Sequence, residues 1–191
     1  SSEGLMEILS RTHITRDALK GKTALVTGAG GGIGFQTARA LCWMGAYVII
    51  AEIDKQAGKQ AEQLLNQEFI EPQVAFIATD VGSQASVRGL AHRVHRMDRT
   101  VDILINNAAI APLGEVIDTP IETWDASYRV NLRGPVMLIQ HFLPGMLERN
   151  TGVIINVSST GTGFMGAYET FKSAQVHLTE TLEAELEGTG V

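Results

Sequence analysis

Thr23-Ala-Leu-Val-Thr-Gly-Ala-Gly-Gly-Gly-Ile-Gly34 decides how the rest of the chain is read. Thr23–Thr27 is a short apolar run, and Ile33 to Met44 reads as a helix. Between them, glycines allow a sharp backbone turn. A glycine turn that opens a helix suits a phosphate or pyrophosphate, because unpaired N–H groups and the helix dipole both face the anion. Gly-x-Gly-x-x-Gly does not fit from Gly28, since its last position falls on Ile33. Thr-Gly-x-x-x-Gly-x-Gly does fit, through Gly28, Gly32 and Gly34, with Ile33 among the residues expected against the ligand. Thr-Gly-x-x-Gly-x-x-Gly also fits, through Gly31 and Gly34. Phe35 and Gln36 stand where a phosphate-loop NTPase needs Lys and Ser or Thr.

The same strand-then-helix pattern repeats outward from this stretch. Tyr47–Ala51 is a second apolar run and Lys55–Glu68 a helix; Gln73–Ala78, after Pro72, is a third strand. Ser83 can cap a helix that runs to about Met97. Val101–Ile105 is a fourth strand, followed by an Ala- and Pro-containing loop and a helical region from Pro120 to about His141, interrupted near Gly134-Pro135. Gly152–Val157 is the fifth strand and Ala167–Glu187 the last helix. Strands that are Val/Ile/Leu/Ala-rich without alternation are expected to be buried on both faces. Their alternation with helices predicts βαβ units and an α/β, doubly wound parallel sheet. Residues 1–20 stand apart. There Leu5, Met6, Ile8 and Leu9 have the spacing of a short amphipathic helix, packed on the body or forming a poorly ordered leader. Residues 21–191 are expected to form one dinucleotide-binding domain.

Glu52 ends the second strand, where a carboxylate can accept from the hydroxyls of an adenosine ribose and would repel a 2′-phosphate. No Arg or Lys lies in the glycine turn or directly after Glu52, so NAD is expected in preference to NADP. Tyr168 and Lys172 lie four residues apart, one turn along a helix face, just downstream of Ser158 and Ser159. A cation so placed favours a phenolate, and the phenol can then give or take a proton near neutrality. His92 and His95 lie among Arg93, Arg96 and Arg99, which reads as a solvated basic helix face; no metal site is expected. Trp43, Trp124 and Phe142 read as core or interface.

Composition narrows the classes. The 191 residues are 45% apolar and 19% charged, as in a soluble globular domain. A net charge of −6 gives no basic field for nucleic acid or an anionic membrane. No apolar run reaches the roughly 18 residues of a membrane span. Ser1-Ser-Glu-Gly-Leu5 lacks the basic and apolar regions of a signal peptide, and the lone Cys42 cannot form an internal disulfide, so a cytoplasmic location is expected.

Taken together, the motifs resemble the short-chain dehydrogenase/reductase family in its single-domain branch, from about Leu19 to Val191. They are the glycine turn at 27–34, Asp80-Val81, Asn106-Asn-Ala-Ala109, Asn131 and the Ser/Tyr/Lys set. The resemblance implies a Rossmann-type sheet of strand order 3-2-1-4-5 in three α/β/α layers. It implies that Asp80 and Val81 contact adenine, and that Asn106 and Ala108 line the cofactor. Asn131 would kink its helix and hold a water of a proton relay. Ser159, the third residue after Asn156, would be the catalytic serine, and Ser158 would be structural or line the cofactor. Tyr168 would be the general acid/base, and Lys172 would hold the nicotinamide ribose. The implied activity is hydride transfer between NAD(P) and an alcohol or ketone, in a homodimer or homotetramer. A dinucleotide-binding protein without efficient catalysis, and an epimerase or dehydratase of the longer branch, are the alternatives. Three departures stand out. Ala109 replaces a glycine, Ser159 and Tyr168 are closer in sequence than the family pattern has them, and the family pattern continues past Val191 with further strands and a substrate lid.

Overall fold

The computed structural model describes residues 15–69, 73–159, 161 and 163–191. The amphipathic segment expected at Leu5–Leu9, Pro72 and Thr160 lie outside the described residues.

Five strands form one parallel sheet: β1 (Thr23–Thr27), β2 (Tyr47–Glu52), β3 (Val74–Ala78), β4 (Ile103–Asn106) and β5 (Val153–Asn156), in the order β3-β2-β1-β4-β5. Helices α1 (Gly32–Trp43), α2 (Lys55–Glu68), α3 (Gln84–Arg96), α4 (Ile121–Tyr128), α5 (Gly134–Arg149) and α6 (Gly166–Glu185) cover it. The expected Rossmann-type fold and strand order are those observed. Alternate residues of each strand feed two separate cores. Ala24, Val26, Val48 and Ile50 pack with Ala38, Leu41, Ala61 and Leu65 of α1 and α2. Leu25, Ile49 and Leu104 pack with Leu90 of α3, Met137 and Leu138 of α5, and Leu182 of α6. The two cores make the sheet the middle of three layers. Cys42 belongs to the first core, where burial pushes its thiol pKa up to about 12 and leaves it unreactive.

Helix starts follow the sequence. Asp54 caps α2 by accepting from Gln56 N and Ala57 N, and Ser83 caps α3 by accepting from Ser86 N. Three details depart from expectation. The long helical region breaks at a π segment, Arg129–Arg133, around Asn131, where the resemblance implied a kink, rather than at Gly134-Pro135. A proline is tolerated in the first turn of α5, where no N–H is required of it. Helix α5 then runs on through Pro144 to Arg149 and ends at Asn150, whose φ of 50° is left-handed. Finally, β5 is not buried on both faces. It is one of the two edges of the sheet; Val153 and Ile155 are exposed, while Ile154 packs against the core beside α6. His92, Arg93, His95 and Arg96 form an exposed face of α3, and Arg99 stacks 3.5 Å over the Tyr47 ring. No helix among the described residues is long and apolar enough to cross a membrane.

Helix α2 approaches β3 closely because Gly58 faces Phe76: a Cβ there would lie 2.2 Å from Cε2 of the ring. Gly58→Ala is therefore expected to lower stability by about 1–3 kcal/mol through overpacking. Most of the loss should vanish in a Phe76→Leu background, as read by urea unfolding of the single and double variants.

Candidate active site

The chain reverses direction across the sheet between β1 and β4, so their carboxyl ends diverge and leave a crevice. Thr27 and Asn107 close its base. Thr27 Oγ1 accepts from Asn107 N and from Ala108 N, both at 3.0 Å. Asn107 Nδ2 donates to Thr27 O at 2.9 Å and to Gly28 O at 3.1 Å. This clasp dictates two glycines. Gly28 has a φ of +65°, and a Cβ on it would lie 2.8 Å from Ala108 Cα. A Cβ on Gly34 would lie 2.2 Å from Gly28 O and 2.6 Å from Asn107 Nδ2. Gly31 and Gly32 differ in their space: a Cβ on either would meet nothing within 4 Å, although the φ of +53° at Gly32 itself favours glycine. The backbone there is exposed, no side chain caps the start of α1, and Ile33 beside it is 71% exposed. Bare backbone at an uncapped helix start fits a pyrophosphate.

Next to the turn, at the ends of β2, β3 and β4, lies a cavity of about 310 Å³. Gly28, Glu52, Asp80, Val81 and Ala108 line it together with Ile110 and Val130. Glu52 is anchored at both oxygens: Oε2 accepts from Gly30 N at 3.0 Å and Oε1 from Asp54 N at 3.1 Å. Asp80 Oδ1 accepts from Gly82 N at 2.9 Å, and Asp80 N donates to Ser86 Oγ at 2.9 Å. The described lining holds two carboxylates and no lysine or arginine.

The remaining candidates gather at the carboxyl end of β5. Asn106 is buried and turned toward that strand rather than into the cavity, donating from Nδ2 to Asn156 Oδ1 at 2.8 Å. Tyr168 is in the first turn of α6, and Lys172 Nζ sits 5.9 Å from the centroid of its ring. Lys172 is only 2% exposed, and Nζ donates to Val157 O at 2.5 Å. Burial pushes the Lys172 pKa below the ordinary lysine range. Ser158 Oγ donates to Lys172 O at 3.0 Å, tying the loop after β5 to α6. Ser159, the next residue, is exposed.

Asn131 lies in the π segment, fully buried. It accepts at Oδ1 from Ile110 N at 2.9 Å, and from Nδ2 donates to Ile110 O at 2.8 Å and to Ser127 Oγ at 2.9 Å. Ser127 Oγ donates in turn to Ala167 O at 3.2 Å, the residue before Tyr168. Gly114 N donates to Phe164 O at 3.0 Å, which joins the loop after β4 to the one before α6. Leu113, Val116, Ile117 and Phe164 are exposed on these joined loops.

The family model of the short chain dehydrogenases matches residues 22–191. The chain belongs to the short-chain dehydrogenase family. It is 36% identical over 173 residues to an uncharacterized oxidoreductase of Thermotoga maritima, covering 88% of this chain and 66% of that protein. It is 33% identical over 177 residues to the human dehydrogenase/reductase SDR family member 4, covering 90% of this chain and 63% of that protein. The chain thus spans about two thirds of the length of these relatives. Among solved structures, a metagenomic short-chain oxidoreductase in complex with NADP superposes with a TM-score of 0.83 at 29% identity, covering 88% of this chain and 78% of that one. A putative beta-ketoacyl-ACP reductase gives a TM-score of 0.79 at 34% identity, covering 87% and 68%.

As a member of this family, the chain carries one substitution with a clear structural answer. Ala109 does not take a left-handed backbone: among the described non-glycine residues only Asp98 and Asn150 have positive φ. Alanine at this position is therefore unstrained. Two residues of the clasp escaped sequence reading. Thr27 looked like the end of a strand, and Asn107 like the neighbour of Asn106. Successive residues of a strand point to opposite sides, so one asparagine of the pair had to face the glycine turn, and only the register of β4 tells which.

Thr27→Val keeps the shape of the clasp but leaves two backbone donors without their acceptor. The variant is expected to lose about 1–3 kcal/mol in urea unfolding, and Thr27→Ser to retain most of it.

Proposed function

We propose that this protein is a nicotinamide-dinucleotide oxidoreductase acting on alcohol and carbonyl carbons, with Tyr168 as general acid/base. The observation that carries this reading is the Tyr168–Lys172 pair: a buried cation 5.9 Å from a phenol ring, fixed to Val157 O at the carboxyl end of β5. That end borders the crevice whose glycine turn fits a pyrophosphate. Gly31, Gly32, Ile33 and the start of α1 would hold the pyrophosphate, Glu52 the adenosine ribose, Asp80 and Val81 the adenine, and Lys172 the nicotinamide ribose. When bound, the nicotinamide supplies or accepts the hydride at its C4.

The chain's own residues then handle the proton. In the reductive direction the Tyr168 phenol donates to the substrate oxygen as charge grows on it, and the Lys172 ammonium stabilises the negative charge left on the phenol. Ser159 hydrogen-bonds the same substrate oxygen and holds it against Tyr168. Asn131 sets the position of α6 through Ser127 and Ala167, and so of Tyr168. The exposed Leu113, Val116 and Phe164 beside this centre support an apolar substrate body. The relatives named oxidoreductases support the same class.

The two carboxylates at the adenosine end, with no lysine or arginine in the described lining, favour NAD over NADP. The NADP complex of a structural neighbour makes the opposite preference the alternative to test. Fluorescence titration is expected to give NADH a Kd about tenfold or more below that of NADPH, a difference of about 1.4 kcal/mol. Tighter NADPH binding would reverse the reading of Glu52.

Tyr168→Phe is expected to lower kcat on a ketone panel by about 100-fold or more with NADH affinity little changed. Retained turnover would remove Tyr168 from the chemistry. Wild-type binding of NADH without turnover of any ketone or alcohol would leave a dinucleotide-binding protein.

A further inference from the structure

Gln175 is the odd residue of α6. It is 0% exposed, one turn beyond Lys172 on the same face. Its Oε1 accepts from Lys172 Nζ at 3.2 Å. Its Nε2 is also buried and makes no hydrogen bond among the described residues. A half-satisfied buried amide is unfavourable, and a leucine or methionine of similar size would pack there without that cost. The amide therefore needs a reason other than core packing, and the bond to Lys172 supplies one.

An ammonium has three N–H donors and no acceptor. Val157 O takes one donor and Gln175 Oε1 a second. Two fixed bonds on a tetrahedral nitrogen fix the direction of the third, and that third N–H is left for the ribose or phenol side of the site. The character of the acceptor matters as well. A carboxylate would hold Nζ equally well but would cancel its charge. A neutral amide holds it and leaves the full positive field on Tyr168.

We infer that Gln175 is a positioning residue for Lys172, a neutral buried acceptor that aims the ammonium and keeps it charged. The inference rests on the reading of Lys172 given above. Among the described residues, the titratable groups beside Lys172 on its own helix are Tyr168 and Glu169, and Glu169 Oε1 accepts from Gly163 N at 3.0 Å; β5 presents Val153, Ile154, Ile155 and Asn156, none of which titrates. In the π segment, Arg129 lies against Gly82 and Arg133 donates to Gln84. On α4, Glu122 and Asp125 are exposed, and Tyr128 packs on Phe171.

The sign of the effect follows from which protonation state the bond favours. Oε1 stabilises the charged amine against a burial that disfavours it. Gln175→Leu removes that support, so Lys172 should lose its proton at lower pH. The alkaline limb of the kcat/KM profile should move down by about one pH unit, the scale of one hydrogen bond to a charged group. Gln175→Glu should move the same limb up, yet lower kcat at neutral pH because the carboxylate screens the cation. A residue that only fills space would change unfolding midpoints and leave both limbs where they were.

The test pairs these profiles with an NMR titration of the lysine Cε/Hε resonances in the full chain, with Lys172 assigned by the signal missing from Lys172→Met. A downward shift of the Lys172 midpoint in Gln175→Leu, with the fold intact by circular dichroism, supports the inference. An unchanged midpoint in Gln175→Leu overturns it, whatever the wild-type activity. Gln175→Met serves as the second apolar variant if Gln175→Leu does not fold. If the wild type turns over no ketone or alcohol while the midpoint shifts, the proposed oxidoreductase function fails and the Gln175–Lys172 linkage stands.

Discussion

The carboxyl edge of the sheet depends on how β1 and β4 part. Val26 and Ile105 are paired in register, yet one chain turns into the glycine loop and the other into Asn106–Ala109. A parting of parallel strands leaves unpaired backbone groups, and buried ones are costly. Thr27 and Asn107 satisfy them with short side chains, which pulls Gly28 so near Ala108 that no Cβ fits. The motif glycines therefore divide by role. Gly28 and Gly34 are glycines because the clasp is tight, Gly32 takes a left-handed turn, and Gly31 and Gly32 together leave exposed backbone with no neighbour within reach of a Cβ. A glycine count treats them alike; the physical requirement does not.

That division explains what the sequence could and could not reveal. The sheet was readable because each strand is a compact apolar run and the helices around it begin at a capping residue, a glycine or, for α4, just after Pro120, all of them local signals. The strand order followed from resemblance, and it is the order observed. Glu52, Asp80, Val81 and Ala108 share one cavity because each ends a neighbouring strand or follows one. Asn106 does not join them: it is the last residue of β4, buried, and its amide is drawn to Asn156 on the neighbouring strand. Local signals point to a break at Gly134-Pro135, and only the resemblance points to Asn131, because the break accompanies tertiary bonds from Asn131 to Ile110 that no local signal encodes. Gln175 was invisible for a similar reason, since nothing local separates a buried glutamine from a solvated one. The exposed outer face of β5 could not be read from Val-Ile-Ile either, because burial depends on what covers a strand and not on its own residues.

Charge is distributed unevenly along the crevice. Glu52 and Asp80 sit at the glycine-turn end, each held by backbone N–H groups, which stabilise a carboxylate without a cation. Lys172 sits at the other end, held by a backbone carbonyl and a neutral amide. Among the described residues, none of these three charges is in a salt bridge with an opposite one. An ion pair would have been the more stable solution for the lysine, since burial alone works against its charged form. Leaving it unpaired keeps its field available to whatever lies beside it, and the phenol of Tyr168 lies there.

Two independent tethers then fix the height of Tyr168 over the sheet. On one side, Lys172 is bonded to Val157 and its own carbonyl accepts from Ser158, which locks the first turns of α6 to the end of β5. On the other, Asn131 and Ser127 reach the carbonyl of Ala167. The second tether needs the π segment. Each residue of a regular helix turns about 100°, so one extra residue in a turn redirects every later side chain by that amount. Asn131 uses that offset to face Ile110 and Ser127 at once, three bonds from a single amide. A regular helix through 129–133 would release either the loop after β4 or the start of α6. The irregular helix is thus the element that couples the two loops flanking Tyr168, and its position follows from that coupling rather than from the glycine and proline beside it.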